Sequence, residues 1–333
     1  MNGSRDPPRL GVGKTSAALI VLLAAILISL SFSGMAAATT GTPPPTSAPA
    51  LSVGFPTPIR HVFVIVMENK PVSAIYGPMP YETSLAKTYA WGGIGAPNHP
   101  GYYALCHPSA PNYLGLTSGQ TLQCGSDAHH VYGVSNIGES LQRAGLSWIA
   151  YEESAQIPCQ ATSSGLYHQE HNPFSYYSDL GGSRVGSVCE THVVPIASLV
   201  QDYPYAKTPP AFTFIIPNIL DDGHSSSAAY GDQWLSTFVP KLISAGWFSS
   251  SVIFVVYDEA TGTGSSAGYA GLTGGPVYMV AISPYTLGVG AYSADASHYD
   301  LLSTVEWLLG LPGTGTGHDS TASFPAMEAM FKP

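Results

Sequence analysis

Phe63-Val64-Ile65-Val66-Met67-Glu68-Asn69-Lys70 is the stretch whose reading decides the fold. Its first five residues are apolar and rich in β-branched side chains, too short a run for a helix and well suited to a buried strand. The run then ends in a carboxylate, an amide and an ammonium with no turn residue between them. In an open α/β sheet the carboxyl ends of strands face the ligand crevice, so a strand here delivers Glu68 and Asn69 there side by side. Such a pair suits a hard cation or a phosphate. A strand end that merely reaches solvent reads the same way in isolation, so the rest of the chain has to choose.

Four further runs resemble this one: Leu146 to Tyr151, Ala211 to Ile216, Ser251 to Tyr257 and Val277 to Ser283. Helical patterns cover Ile137 to Ala144 and Gln233 to Ala245, and Tyr299 to Leu309 places Leu301, Leu302, Val305, Leu308 and Leu309 on one face. Near-continuous apolar strands alternating with helices predict an α/β fold, with a central, mainly parallel sheet covered by helices on both faces. The Gly- and Ser-rich segment from Thr261 to Gly275 reads as a surface loop. Trp91, Trp247 and Trp307 read as core residues.

The 333 residues suffice for one large α/β domain or two small ones, and the net charge is -10 with only 10% charged residues. Lys and Arg are scattered, so no basic stripe supports nucleic-acid binding. An anionic ligand must then be held by local groups and a metal, against the global field. At the N-terminus Arg5, Arg9 and Lys14 precede an uncharged run from Ala17 to Leu30, followed by Ala36, Ala37 and Ala38. That is the layout of a signal peptide cut after Ala38; an uncleaved anchor over Thr15 to Ala38, tethering the protein to a membrane, is the competing reading. Either predicts an extracytoplasmic protein, secreted or tethered to the cell surface. Residues 39–58 are rich in Pro, Thr, Ser and Ala and read as a linker, leaving 59–333 as the folded domain. Four cysteines, an even number in an exported chain, suggest two disulfides. Proximity favours Cys106 with Cys124 and Cys159 with Cys189. A zinc site is the weaker alternative, since no Cys-x-x-Cys spacing occurs.

The polar residues gather at the ends of the apolar runs. Besides Glu68 and Asn69, the third run is followed by Asn218, Asp221, Asp222 and His224, and the fourth by Asp258 and Glu259. Oxygen ligands of this kind suit Mg, Ca or Mn, and a histidine ligand would shift the preference toward Zn or Fe. His107-Pro108-Ser109-Ala110-Pro111-Asn112-Tyr113 opens a helix ending near Gly119. There Ser109 reads as an N-cap with Pro111 in the first turn, or as a nucleophile at the positive end of the helix dipole. His171 lies in a polar loop, and Ser297-His298-Tyr299-Asp300 opens the last helix with Ser297 as its cap.

Taken in order, these motifs resemble the phosphoesterase family of bacterial acid phosphatases and phospholipases C. The resemblance runs from about Arg60 to Leu311 through Val66-Met67-Glu68-Asn69-Lys70, His107-Pro108-Ser109, Leu116-Thr117-Ser118-Gly119, His171-Asn172-Pro173-Phe174, Asp222-Gly223-His224, Gly231-Asp232-Gln233-Trp234-Leu235, Tyr257-Asp258-Glu259 and Ser297-His298-Tyr299. It implies an alkaline-phosphatase-like fold and hydrolysis of phosphate esters. One divalent metal ion is expected among Glu68, Asn69, Ser109, Asp258 and Glu259, with Ser109 transiently phosphorylated. His171, His224 and His298 would hold phosphoryl oxygens or protonate the leaving group. Asn112, Lys70, Asn218 and Asp222 are the candidates for substrate contact. Gly223 stands where many relatives carry a methionine, a departure expected to loosen the loop before His224.

The first expectation is therefore an exported, metal-dependent hydrolase of small phosphate monoesters. A phosphodiesterase or phospholipase C using the same site is the runner-up. An inactive surface binding module on a Pro/Thr stalk is the reading from a different class. Charge stabilisation by imidazolium groups would favour acid conditions.

Overall fold

The computed structural model describes residues 56–92, 101–182, 184–197, 208–261, 269–288, 290–314 and 323–332. The N-terminal leader or anchor, most of the 39–58 linker and part of the Thr261 to Gly275 loop lie outside these residues. Among the described residues no helix is long and apolar enough to cross a membrane.

In chain order the strands are β1 (His61–Met67), β2 (Ala90–Gly92), β3 (Tyr102–Tyr103), β4 (Trp148–Glu152), β5 (Val193–Pro195), β6 (Phe212–Ile216), β7 (Ser251–Tyr257), β8 (Met279–Ile282), β9 (Gly290–Ala291) and β10 (Ala296–Ser297). The helices are α1 (Val72–Ile75), α2 (Pro80–Ala86), α3 (Ser109–Ser118), α4 (Ile137–Arg143), α5 (Val188–His192), α6 (Ala228–Ile243) and α7 (His298–Leu309). Eight strands form one sheet in the order β5-β4-β6-β1-β7-β8-β2-β9. Its pairs are parallel except where β8 runs antiparallel to β7 and β2.

Every residue of β1 and of β7 is buried, which is why both read as unbroken apolar runs rather than as alternating ones. Parallel strands need crossovers, and the chain supplies them by leaving β1 and returning to either side of it. As a result β1 sits between β6 and β7, and the carboxyl ends of all three are neighbours. This adjacency positions the candidate site.

Element boundaries moved for local reasons. The second expected strand starts at Trp148 rather than Leu146, because the Leu146 amide donates back to Leu141 O at 2.9 Å in the turn after α4. Helix α6 begins at Ala228, five residues before the pattern suggested, because Ser227 caps it by accepting from Tyr230 N at 3.2 Å. Asp232 inside its first turns faces sideways and accepts from the amides of Tyr81 and Glu82 at the start of α2. The short strands β2, β3, β5, β9 and β10 carry too few residues for any periodicity to reveal them. Ser297 caps α7 as expected, in a capping box with Asp300. Trp91 is buried, whereas Trp247 and Trp307 are half-buried against the core.

The disulfides are Cys106–Cys124 and Cys159–Cys189, closing loops at sequence separations of 18 and 30. Loop-closure entropy puts the stabilisation at roughly 3 to 4 kcal/mol for each. Urea unfolding with and without a thiol reductant should therefore show a lower midpoint in the reduced protein. Equal midpoints would mean that neither bridge constrains the unfolded chain.

Candidate active site

The strand-end residues do meet. Backbone pairing continues past the ends of the strands: Asp258 N donates to Met67 O at 2.8 Å, and Glu68 N donates to Asp222 O at 2.9 Å. Asn69 takes a left-handed conformation, with φ of 55°, and its amide donates to Asp258 Oδ1 at 2.9 Å. Its side chain turns back to donate from Nδ2 to Glu68 Oε2 at 2.8 Å. Three carboxylates from three strand ends, Glu68, Asp222 and Asp258, are thereby packed together with no exposed surface.

Ser109 joins them from α3. The N-cap of α3 is Pro108, and Ser109, the first helical residue, makes no capping bond. Asp127 does that work instead, accepting from Ala110 N through Oδ1 at 2.9 Å. The Ser109 hydroxyl is free to donate to Glu68 Oε2 at 3.2 Å. One helical turn later on the same face, Tyr113 OH donates to Glu68 Oε1 at 2.6 Å. Tyr113 was not among the expected residues, yet its i, i+4 spacing from Ser109 is visible in the sequence.

A cluster of three imidazoles closes the outer side. His171 is buried and stacked on Tyr113, with Nε2 3.3 Å from Glu68 Oε1 and Nδ1 3.5 Å from Asp222 Oδ2. The His224 ring lies 5.7 Å from that of His171, and the His168 ring is 5.8 Å from both. His168 was not among the expected residues; its i, i+3 spacing from His171 around the turn Gln169–His171 is the signal that the sequence offers.

The electrostatics follow from this crowding. Burial pushes Glu68 well above the usual carboxylate range, with Asp258 and Asp222 adding to the shift. Asp258 is raised to about 6 by burial, against the opposing Asn69 amide and His171. Glu259 is raised to about 9 by burial and by Asp258. Burial alone would lower His171, but the carboxylates of Asp222 and Asp258 outweigh it, so its pKa is raised. His224 is lowered by partial burial and by the charge of His171.

Several expected residues serve the frame of the site. His298 is fully buried, with Nε2 donating to Asp258 O at 2.6 Å and Nδ1 accepting from Tyr102 OH at 3.0 Å. Because a carbonyl only accepts, Nε2 carries a proton; burial lowers the ring's pKa to about 4, so the ring is neutral and Nδ1 is the acceptor. His298 thus holds the backbone of Asp258, and neither ring nitrogen is free for a phosphoryl oxygen. Asn112 is buried and spends its amide on the loop before α3, accepting from Leu105 N at 2.8 Å and donating to Cys106 O at 2.8 Å. Asn218 closes its own turn, with Oδ1 accepting from Leu220 N at 3.0 Å and Nδ2 donating to Asp221 at 2.8 Å. Glu259 turns its Oε2 toward His107 Nδ1 at 2.9 Å rather than toward Glu68. Asp222, expected at the substrate, accepts from His224 N at 2.7 Å through Oδ1 and faces His171 through Oδ2.

Gly223 does not loosen its loop. Its φ is +93°, and Lys70 Nζ donates to its carbonyl at 2.7 Å, which ties the loop to the end of β1. A side chain here is strained in the left-handed backbone, so Gly223→Ala should cost roughly 1 to 2 kcal/mol. Thermal unfolding would check it; an unchanged melting temperature would mean that the loop relaxes freely.

The pocket fits a divalent cation by its chemistry. Asp258 Oδ2 and Asp222 Oδ2 are buried without a hydrogen-bond partner, as is His171 Nε2. Buried carboxylates left unpaired are costly unless a proton or a cation answers them. Ligand atoms of Glu68, His171 and His224 lie within 4.8 Å of one another, and so do those of His168, Glu170 and His171. Protonated His171 has no lone pair to offer a metal, so in acid the oxygen ligands are the ones available.

Comparison with known proteins agrees with the geometry. Residues 98–312 match the phosphoesterase family, a stretch that takes in α3, the imidazole cluster and the β7 end but begins after Glu68. The chain is 30% identical over 260 residues to a phosphatidylinositol-3-phosphatase of Mycobacterium tuberculosis, covering 77% of this chain and 78% of that protein. It is 24% identical over 226 residues to an acid phosphatase of Aspergillus fumigatus, covering 64% of this chain and 48% of that one. It thus spans only about half the length of that fungal relative. A solved protein of the alkaline phosphatase superfamily from Vibrio parahaemolyticus superposes with a TM-score of 0.52 at 11% identity, over 76% of this chain and 67% of that one. The likeness to that structure is one of fold.

Proposed function

This chain belongs to the phosphoesterase family and hydrolyses phosphoric esters, and we propose that it is an exported, metal-dependent phosphomonoesterase working through a phosphoserine at Ser109. The observation that carries this reading is the Ser109 hydroxyl donating to Glu68, with Asp258 and Asp222 buried beside that carboxylate.

Glu68 Oε2 is placed to take the Ser109 proton as Oγ attacks phosphorus. A cation held by Glu68, Asp258 and Ser109 would neutralise charge on the phosphoryl group and make the hydroxyl more acidic. Asn69 fixes both carboxylates at once, through its amide to Asp258 and its side chain to Glu68. His224 faces the same space and would bind a phosphoryl oxygen, and protonated His171, held between Glu68 and Asp222, would add positive charge beside it. His171 carries its charge below its raised pKa and loses it as pH climbs, so phosphoryl binding should be strongest in acid. Two disulfides among the described residues fit an oxidising, extracytoplasmic compartment. That the relatives named above are phosphatases favours monoesters over diesters.

The test is a panel of monoesters, diesters and phosphatidylcholine, run on purified protein with and without a chelator. Monoesters should be cleaved fastest and the chelator should stop turnover. Faster cleavage of diesters would overturn the monoester reading, and turnover indifferent to chelation would overturn the metal.

A further inference from the structure

We propose that His168, oriented by Glu170, is the acid that protonates the departing alcohol. The inference rests on the phosphatase reading and adds a residue to it. His168 Nδ1 lies 2.7 Å from Glu170 Oε1, which leaves Nε2 as the nitrogen that Glu170 does not engage. Glu170 is itself held: its Oε2 accepts from Ser163 Oγ at 3.2 Å, and that hydroxyl accepts from Gln169 N at 3.0 Å. A carboxylate behind one ring nitrogen and a reacting proton on the other is the arrangement that makes imidazole an acid-base catalyst.

The neighbouring imidazoles are less suited. His171 is buried between Glu68 and Asp222 and has a carboxylate against each nitrogen. His224 has Ser225 Oγ 3.0 Å from its Nδ1 and, among the described residues, no carboxylate at hydrogen-bond distance from its ring. Among the described residues, the charged and titratable groups against His168 are Glu170, His171 and His224. Ser109 is buried, whereas the His168 ring, 5.8 Å from that of His171, is partly exposed, where a departing alcohol can reach solvent.

The atoms balance. In the first half, the bond from Ser109 Oγ to phosphorus forms as the bond from phosphorus to the alcohol oxygen breaks. Glu68 takes the serine proton and His168 Nε2 gives its proton to the alcohol. In the second half water attacks the phosphoserine, His168 recovers a proton from that water, and the serine oxygen leaves with the proton held by Glu68. The sum is ester plus water giving alcohol plus phosphate.

The experiment compares kcat/KM on a series of phosphomonoesters, from 4-nitrophenyl phosphate to simple alkyl phosphates, using metal-loaded protein. Alkyl esters have poor leaving groups and need the acid most. His168→Asn should lose about 10²- to 10⁴-fold more on alkyl esters than on the nitrophenyl ester. Glu170→Gln should show the same bias at smaller size, and Glu170→Asp should recover most of it. Because the readout is a ratio between esters on one protein sample, loss of folded protein cancels. An equal loss across the series would overturn the proposal. So would a fall in bound metal in His168→Asn, which would make the residue a ligand. The ratio is read whether the attacking oxygen belongs to Ser109 or to water, so a fully active Ser109→Ala would remove the nucleophile and leave this test standing.

Discussion

Ser109→Ala should abolish release of phosphate from a chromogenic monoester, with a loss on the order of 10⁴-fold or more, the scale seen when activated serine nucleophiles are deleted. The folded state should barely notice. Ser109 is not the cap of α3, since Pro108 occupies that position and Asp127 satisfies the adjacent amide. The only bond lost in the hydrogen-bond set around Glu68 is the one from Ser109 Oγ, and both oxygens keep a donor, Tyr113 on Oε1 and Asn69 on Oε2. A single hydrogen bond is worth about 1 kcal/mol net, equivalent to roughly 2 to 4 °C in a domain of this size. Acid-quenched native protein should also carry phosphate on the peptide that contains Ser109. Undiminished turnover in the variant would dispose of the covalent mechanism at once.

Chelation should destabilise the protein, and by more at higher pH. Asp258 and Glu259 are raised to about 6 and about 9 from ordinary values of 3.8 and 4.5, and Glu68 is raised as well. In the pH range between the unfolded and folded values the folded state binds more protons than the unfolded one. Stability without a cation is therefore greatest at low pH and falls as pH rises through about 6 and on toward about 9. A cation that binds only the folded protein, through Glu68 and Asp258, replaces the protons on those two carboxylates, and at a hundredfold excess over its Kd it contributes about 2.7 kcal/mol. The melting temperature with metal should exceed that with chelator by roughly 5 to 10 °C near neutral pH, with a smaller gap in acid, where protons compete. Identical melting curves across the pH range would mean that the carboxylates do not hold a metal.

The single structural feature behind both expectations is the order β6-β1-β7 in the sheet. Reading the apolar runs was enough to find those strands, because a strand buried on both faces has to be apolar throughout. It was also enough to notice that carboxylates follow three of them. Ser109 drew attention as a cap, and that part was misplaced: a cap must precede the helix, and here Pro108 does. The imidazole cluster was only partly legible. His171 and His224 were named for their motifs, His168 was passed over, and His298 was assigned a substrate role that its two buried hydrogen bonds deny it. Burial and partner are properties of the folded neighbourhood, and one histidine looks like another in a string of letters.

By itself the sequence determined the five longer apolar strands with their polar ends and the cap of α7, and it favoured pairing each cysteine with its neighbour along the chain. These depend on apolar run length, on spacing of a few residues and on short loop closure, all of which are local. Tertiary structure alone decided which polar ends face one another and which side chains are used up in holding the frame. The bond from Asn69 to Asp258 spans 189 positions, and no local propensity encodes it. It exists because parallel strands must be joined by long crossovers, which bring together in space ends that are far apart along the chain.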